Sequence, residues 1–227
     1  MDAVFKIENW TSWNSTINDG VAATPQLPEI PPMQRRRFSF LSKMALRVIL
    51  DILPNPRAIR SVFSSRHGEL HRTLDLLLEL TQGSPLSPAK FSQSVYNTSS
   101  GLYSINQKNT APSTVVTSGR NSLAMAFVEA ISQSICYQEK VLLVYVDEPL
   151  PEIYKAYADE QEELAAFACI LSAAEFGWHA KLIADDNSSL KSPRHLASQL
   201  IAALSKSEDY FELELEAQKW IWDLKDE

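Results

Sequence analysis

His67 and His71 are the first candidates for chemistry, because two His at i and i+4 on one helix face can grip a zinc ion. The surrounding run, His67-Gly68-Glu69-Leu70-His71, does not fit that use. A zinc peptidase places Glu directly after the first His; here Gly68 intervenes, at the point where a helix should begin. No third ligand stands nearby, so no metal is expected, and the run reads as a helix entrance. Ser118 and Ser122 are candidate nucleophiles, but no His is placed locally to activate either. His179 and His195 lack local partners and read as structural or surface residues. Cys136 and Cys169 sit in apolar segments and read as free, buried thiols of a reducing compartment, the cytoplasm. The run Arg35-Arg36-Arg37 is either a solvated helix start or a docking point for an acidic partner, since guanidinium groups suit carboxylates and phosphates. The G-x-S-x-G, G-x-G-x-x-G, Walker and C-x-x-C signatures do not occur, and no cofactor is expected.

These residues sit in a chain of 227 with 45% hydrophobic and 22% charged residues, an ordinary globular composition. The net charge of −7 argues against an extended nucleic-acid surface. No run of 18 apolar residues occurs, so no membrane span is expected, and the N-terminal MDAVFKIENWTSW lacks the basic and apolar regions of a secretory signal. The periodicities predict a strand over 3–10 and an extended, Pro-rich loop over 14–34. A helix is predicted over 38–52, stopped by Pro54 and Pro56, then a strand over 59–64. Leu70, Leu74, Leu77 and Leu78 predict one inward face of a helix over 69–80. Further on come a strand over 91–96, a helix over 99–107, a strand over 113–117 and a helix over 121–135. The unbroken apolar run VLLVYV at 141–146 predicts a strand covered on both faces. Strands over 165–172 and 178–183, a polar loop over 185–193 and a helix over 196–204 follow, and FELELE predicts a half-exposed strand before Trp220 and Trp222. Alternating strands and helices argue for one α/β domain over 1–227, with a mixed central sheet flanked by helices.

The stretch from Ser84 to Ile131 resembles the centre of a β-ketoacyl synthase. It carries a Ser-Pro-x-x-Phe entry at Ser87–Phe91, Asn97 shortly before a Gly-led helix, and then Ala111-Pro112-Ser113-Thr114-Val115. In that family a Thr-Ala-Cys-x-Ser-Ser-Leu segment follows, whose Cys attacks the acyl thioester. Here it reads Thr117-Ser118-Gly119-Arg120-Asn121-Ser122-Leu123, so the nucleophile position falls on Gly119. A Cys at such a helix N-terminus would be activated by backbone N–H groups and the helix dipole. The strand and helix that would activate it are both predicted, and Gly119 leaves the place empty. Cys136 lies at the opposite end of the same helix and cannot substitute. Pro32 to Leu46 is similar to the Arg-rich start of the family's first long helix, and Ser64 to Leu70 to its Gly-Glu strand-to-helix turn. The resemblance is clearest over 30–175.

The resemblance implies a thiolase-like fold. Its second half would carry two catalytic His and a Lys in motifs like His-Gly-Thr-Gly-Thr and Lys-x-x-x-Gly-His, which do not occur in this sequence. It therefore implies an N-terminal half standing alone, similar to the chain-length factors that pair with a full-length β-ketoacyl synthase in type II polyketide or aryl polyene pathways. Such a subunit shapes the partner's acyl tunnel and is not itself an enzyme. The partners implied are that ketosynthase and an acyl carrier protein, the latter docking on Arg35, Arg36 and Arg37. The residues implied to face the partner or its tunnel are Val95, Tyr96, Asn97, Ser100, Leu102, Tyr103, Ile105, Asn106 and Arg120. Half of a thiolase fold is also expected to leave a sheet edge and an apolar face uncovered. Two other readings stay open: a stand-alone acyltransferase or thioesterase using Ser118 or Ser122, and a carrier-protein scaffold that shapes no tunnel.

Overall fold

Apolar alternation builds the sheet that organises this chain. The structure, a computed structural model, describes residues 2–13, 17–18, 21–159, 162–184, 195–215 and 218–225. The chain opens with β1 (Asp2–Trp13), then the short pair β2 (Ile17–Asn18) and β3 (Val21–Ala22), and the one-turn helix α1 (Pro32–Arg35). Next come α2 (Phe40–Ile52), β4 (Arg60–Ser64), α3 (Leu70–Thr81), α4 (Pro88–Ser92) and α5 (Thr98–Gln107). The middle is β5 (Ser113–Val116), α6 (Ser122–Tyr137), β6 (Val141–Asp147) and a 3₁₀ turn over Glu152–Tyr157. The rest is β7 (Ala165–Ala173), β8 (Gly177–Ala184), α7 (Leu196–Ser205), β9 (Tyr210–Leu215) and β10 (Gln218–Lys225).

Eight strands form one mixed sheet in the order β5-β4-β6-β7-β1-β8-β10-β9. β5, β4 and β6 run parallel, and every later neighbour is antiparallel. All seven residues of β6 are buried, as its apolar run predicted. Alternation divides its side chains between two cores. Val141, Leu143 and Tyr145 point toward α6 and α7, whereas Leu142, Val144 and Val146 point toward α2 and α5. β7 divides in the same way, with Phe167, Cys169 and Leu171 on the first side and Ala166, Ala168 and Ile170 on the second. Small residues, Ala124, Ala126 and Ala130, let α6 lie close on the sheet, while Phe127 packs among Phe5, Phe167, Trp220 and Trp222. Each such large side chain contributes about 1.5–3 kcal/mol of apolar burial. Among the described residues, no helix is long and apolar enough to cross a membrane.

Three expectations need correction. Residues 91–96 are not a strand. Ser87 accepts from the Lys90 N–H with Pro88 at the first helical position, so α4 starts there and the chain then turns. The apolar stripe of α3 does not face the core: Leu76 is buried, while Leu77 and Leu78 are each 46% exposed. Cys136 is exposed near the end of α6, and Cys169 alone is a buried thiol. Among the described residues, α2 and α5 cover one side of the central sheet and α6 and α7 the other. Beyond them, the outer face of β8, β9 and β10 carries charges that pair across strands, as His179 with Asp2 and Lys219 with Glu212. Exposed apolar side chains include Leu77, Leu78 and Leu80 on α3, Phe91 on α4 and Ile105 on α5, with others elsewhere such as Ile153 and Tyr157, and β5 presents an open sheet edge. The predicted loop at 185–193 and parts of the predicted loop at 14–34 lie outside the described residues.

Candidate functional site

The parallel strands β4, β5 and β6 end together, and their C-terminal ends deliver the residues of interest to one place. In open α/β sheets, ligands bind at such ends. β5 runs into the turn Thr117–Asn121, which feeds α6. Gly119 takes φ +54°, a left-handed conformation that suits glycine. A Cβ built there would meet nothing within 4 Å, so the position is open space at the N-terminus of a 16-residue helix. The turn holds itself together: Ser122 Oγ donates to the Gly119 carbonyl (2.7 Å) and accepts from the Ser118 N–H (2.9 Å). Ser64, at the end of β4, donates to the Ser122 carbonyl (3.1 Å). Ser122 is fully buried with its hydroxyl committed to the turn, and Ser118 is exposed.

A buried polar cluster adjoins this turn, and sequence reading missed it. Asp147, at the end of β6, accepts from the Ser65 hydroxyl (3.1 Å), the His67 N–H (3.3 Å) and the Tyr145 hydroxyl (3.3 Å). His195, 3% exposed ahead of α7, places Nε2 3.2 Å from the Tyr145 oxygen and 3.8 Å from Asp147. His67 Nε2 lies 3.0 Å from Glu162, whose other oxygen accepts from the Leu150 N–H (2.6 Å). His71 instead reaches the Pro149 carbonyl (2.8 Å), so the two His serve separate contacts. The signal available in the sequence was Asp147-Glu148 directly after the buried strand: charge at the end of a covered parallel strand must be satisfied by neighbours.

Glu69 and Glu148 complete the cluster. Glu69 accepts from the hydroxyls of Ser39 (2.7 Å) and Ser42 (2.8 Å), which joins the start of α2 to the start of α3. Burial pushes its carboxyl pKa up. Burial also pushes Glu148 up, to about 7, with the negative charges of Glu69 and Asp147 adding to the effect. A raised carboxyl means that the folded state holds a proton the unfolded chain has lost. Between about pH 4.5 and 7, stability therefore falls as pH rises, by at most about 3 kcal/mol from Glu148. Glu148→Gln is expected to remove most of this slope and to be more stable than the parent at pH 8. Urea unfolding of both proteins at pH 5 and pH 8 checks it; parallel pH dependences would contradict it.

The residues expected to face a partner divide in two. Ile105 is 76% exposed, and Val95 and Tyr96 are each 46% exposed. Asn97 is exposed at the start of α5, and Arg120 is half-buried in the Gly119 turn. Tyr103 and Ser100 are buried, and Leu102 packs against the α2 core. Asn106 is half-buried and donates to the Leu102 carbonyl (2.8 Å). Tyr96 acts as a brace, with its ring 3.0 Å from where a Gly68 Cβ would stand and its hydroxyl donating to the Arg66 carbonyl (3.0 Å). Of the Arg run, Arg35 turns back to donate to the Leu27 carbonyl (3.2 Å), while Arg36 and Arg37 are exposed.

A sheet of this topology, with a strand-to-helix turn at the parallel strand ends, is a thiolase-like fold. The chain belongs to the β-ketoacyl synthase family, whose N-terminal domain model matches residues 10–223. Comparison with curated proteins found no match. Among solved structures the chain is similar to one described as the ketosynthase ApeO in complex with its chain length factor ApeC, from Xenorhabdus doucetiae. That likeness has a TM-score of 0.83 at 23% identity, covering 96% of this chain and 98% of that one. It is also similar to the ishigamide ketosynthase/chain length factor (TM-score 0.61, 14% identity, 89% of this chain and 73% of that one). A β-ketoacyl synthase from Burkholderia phymatum STM815 gives a TM-score of 0.54 at 13% identity, over 82% of this chain and 56% of that one.

Proposed function

We propose that this chain is a non-catalytic, chain-length-factor-like subunit. It pairs with a full-length β-ketoacyl synthase in the cytoplasm and shapes the acyl tunnel of that partner during polyketide or aryl polyene elongation. The observation that carries the reading is Gly119. The family's nucleophile position is intact as a turn at the head of α6 and carries no side chain. The likeness to a structure described as a ketosynthase with its chain length factor supports it. The commitment of Ser122 to its own turn weighs against an acyl-enzyme on that residue. The partner would cover the open edge of β5 and the exposed side chains of α5, with Ile105 foremost. An acyl carrier protein would dock on the exposed Arg36 and Arg37, with Arg35 holding the run in place.

Pairing is tested by co-expression with a full-length β-ketoacyl synthase from the same source. The expected result is one complex on size-exclusion chromatography that survives dilution. Separate elution of the two chains, each folded, would remove the reading.

A further inference from the structure

Between β6 and β7 the chain runs along the loop that joins β4 to α3, and side chains of that loop hold it. His71 Nε2 lies 2.8 Å from the Pro149 carbonyl, Arg66 pairs with Asp159, and His67 Nε2 lies 3.0 Å from Glu162. The same Glu162 accepts from the Leu150 N–H (2.6 Å), so one carboxylate closes the base of the segment and ties it to His67. Residues 148–159 are thus a strap fastened at both ends, with Glu162 as its buckle. Between the fastenings the strap stands out into solvent, with Ile153 63% exposed and Tyr157 79%. Its far end lies beside the Gly119 turn. The Arg66 carbonyl accepts from the Thr117 hydroxyl (3.4 Å), and Asp159 feels the positive charge of Arg120.

The charges around these fastenings do not balance at every pH. The carboxylates are Glu69, from the start of α3, Asp147 and Glu148, from the end of β6, and Asp159 and Glu162. The fixed cations beside them are Arg66, Arg72 and Arg120. Glu152 and Lys155, on the strap itself, pair with each other, and Glu163 accepts from the Ser198 hydroxyl of α7. Carboxylates therefore outnumber fixed cations, and the imidazoles of His67, His71 and His195 supply the rest, His195 from 3.8 Å beyond Asp147. Imidazole is the side chain that gains or loses its charge between pH 5 and 8. A charged His67 makes an ion pair with Glu162, and a charged His71 offsets Glu148 and Glu69. Glu148 acts in the same direction. Burial pushes its carboxyl up to about 7, so it gains negative charge as the imidazoles lose their positive one. We infer that residues 148–159 form a proton-operated strap, latched while His67 and His71 are charged and released as they become neutral. Release draws Asp159 away from Arg66 and opens the approach to the Gly119 turn. The latch lies wholly within this chain and works whichever partner the chain takes.

Amide hydrogen exchange of the full chain at pH 6 and pH 8, with times scaled to intrinsic exchange, reads the strap directly. The experiment belongs in a Glu148→Gln background, which removes the global pH dependence expected from that carboxyl. The Leu150 N–H reports the buckle, and the amides of β7 report global unfolding. The expected result is an about tenfold fall in protection of the strap amides from pH 6 to pH 8, with β7 unchanged, since a charged hydrogen bond is about twice as strong as a neutral one. His67→Gln keeps an N–H donor for Glu162 without a titrating charge, and should lose most of the pH dependence. His67→Lys keeps the charge at pH 8, and should hold there the protection that the background protein shows at pH 6. Either variant tests the latch if the other does not fold. Strap protection that is absent or equal at the two pH values would overturn the inference. So would a fall of the same size in β7, or a fall left undiminished by the substitutions at His67.

Discussion

Gly119→Cys is expected to give a thiol that iodoacetamide alkylates readily and a protein that still forms no carbon–carbon bond. The side chain fits, because the site is open for 4 Å around the new Cβ. The cost is the left-handed backbone at φ +54°, about 1–2 kcal/mol for a residue with a Cβ. The α6 N-terminus then favours the thiolate. Condensation also requires decarboxylation of the extender and stabilisation of the resulting carbanion, which the family resemblance assigns to His and Lys motifs not found in this sequence. The imidazoles near the turn are otherwise engaged: His67 with Glu162, and His195 with Tyr145. The experiment belongs in a Cys136→Ser background, since Cys136 is exposed and would react as well. Alkylation mapped to position 119 with no elongated carrier thioester is the expected pair of results. Elongation by the variant alone would show that this chain supplies the missing groups.

Ile105→Ala and Tyr103→Ala are expected to fail in opposite ways. Tyr103 is 2% exposed, 5.9 Å from the Phe63 ring, and burial holds its phenol pKa at about 12. Its truncation should destabilise the chain by about 3–5 kcal/mol and lower the yield of complex without changing product length. Ile105 stands on the same helix at 76% exposure, so its truncation should leave folding nearly untouched. If Ile105 forms part of the tunnel wall, losing its side chain opens room for roughly one further extension unit. Mass spectrometry of the products from each reconstituted complex separates the cases. An unchanged product distribution for Ile105→Ala and for the neighbouring Leu102→Ala, with the complex intact, would make the chain a scaffold that sets no length.

The sheet was legible because its strands are covered on both faces or alternate strictly. VLLVYV and FELELE each fix one side-chain pattern, and both appear as strands. The turn at Gly119 was legible from a short motif between a β-branched strand and an apolar helix. The α3–α4 region was not. The spacing of Leu70, Leu74, Leu77 and Leu78 states that a helix has an apolar stripe, but not what covers it, and here α3 packs mainly on α4 rather than on the sheet. The polar cluster was hidden for another reason. Ser65, Asp147, Glu162 and His195 are distant in sequence and meet only because β4 and β6 end side by side. Nor does local sequence reveal that Arg72 joins the run at Arg36 and Arg37, a contact made through Gln93 and a backbone carbonyl.

The most direct test of a non-catalytic subunit is to locate the acyl group. The complex of this chain with its ketosynthase is incubated with an acyl carrier thioester, quenched in acid, and both subunits are weighed intact by mass spectrometry. The account predicts an acyl adduct on the ketosynthase alone, with this chain at its unmodified mass. An acyl adduct on this chain, mapped to Ser118, Ser122 or any other residue and formed at the rate of turnover, would contradict it.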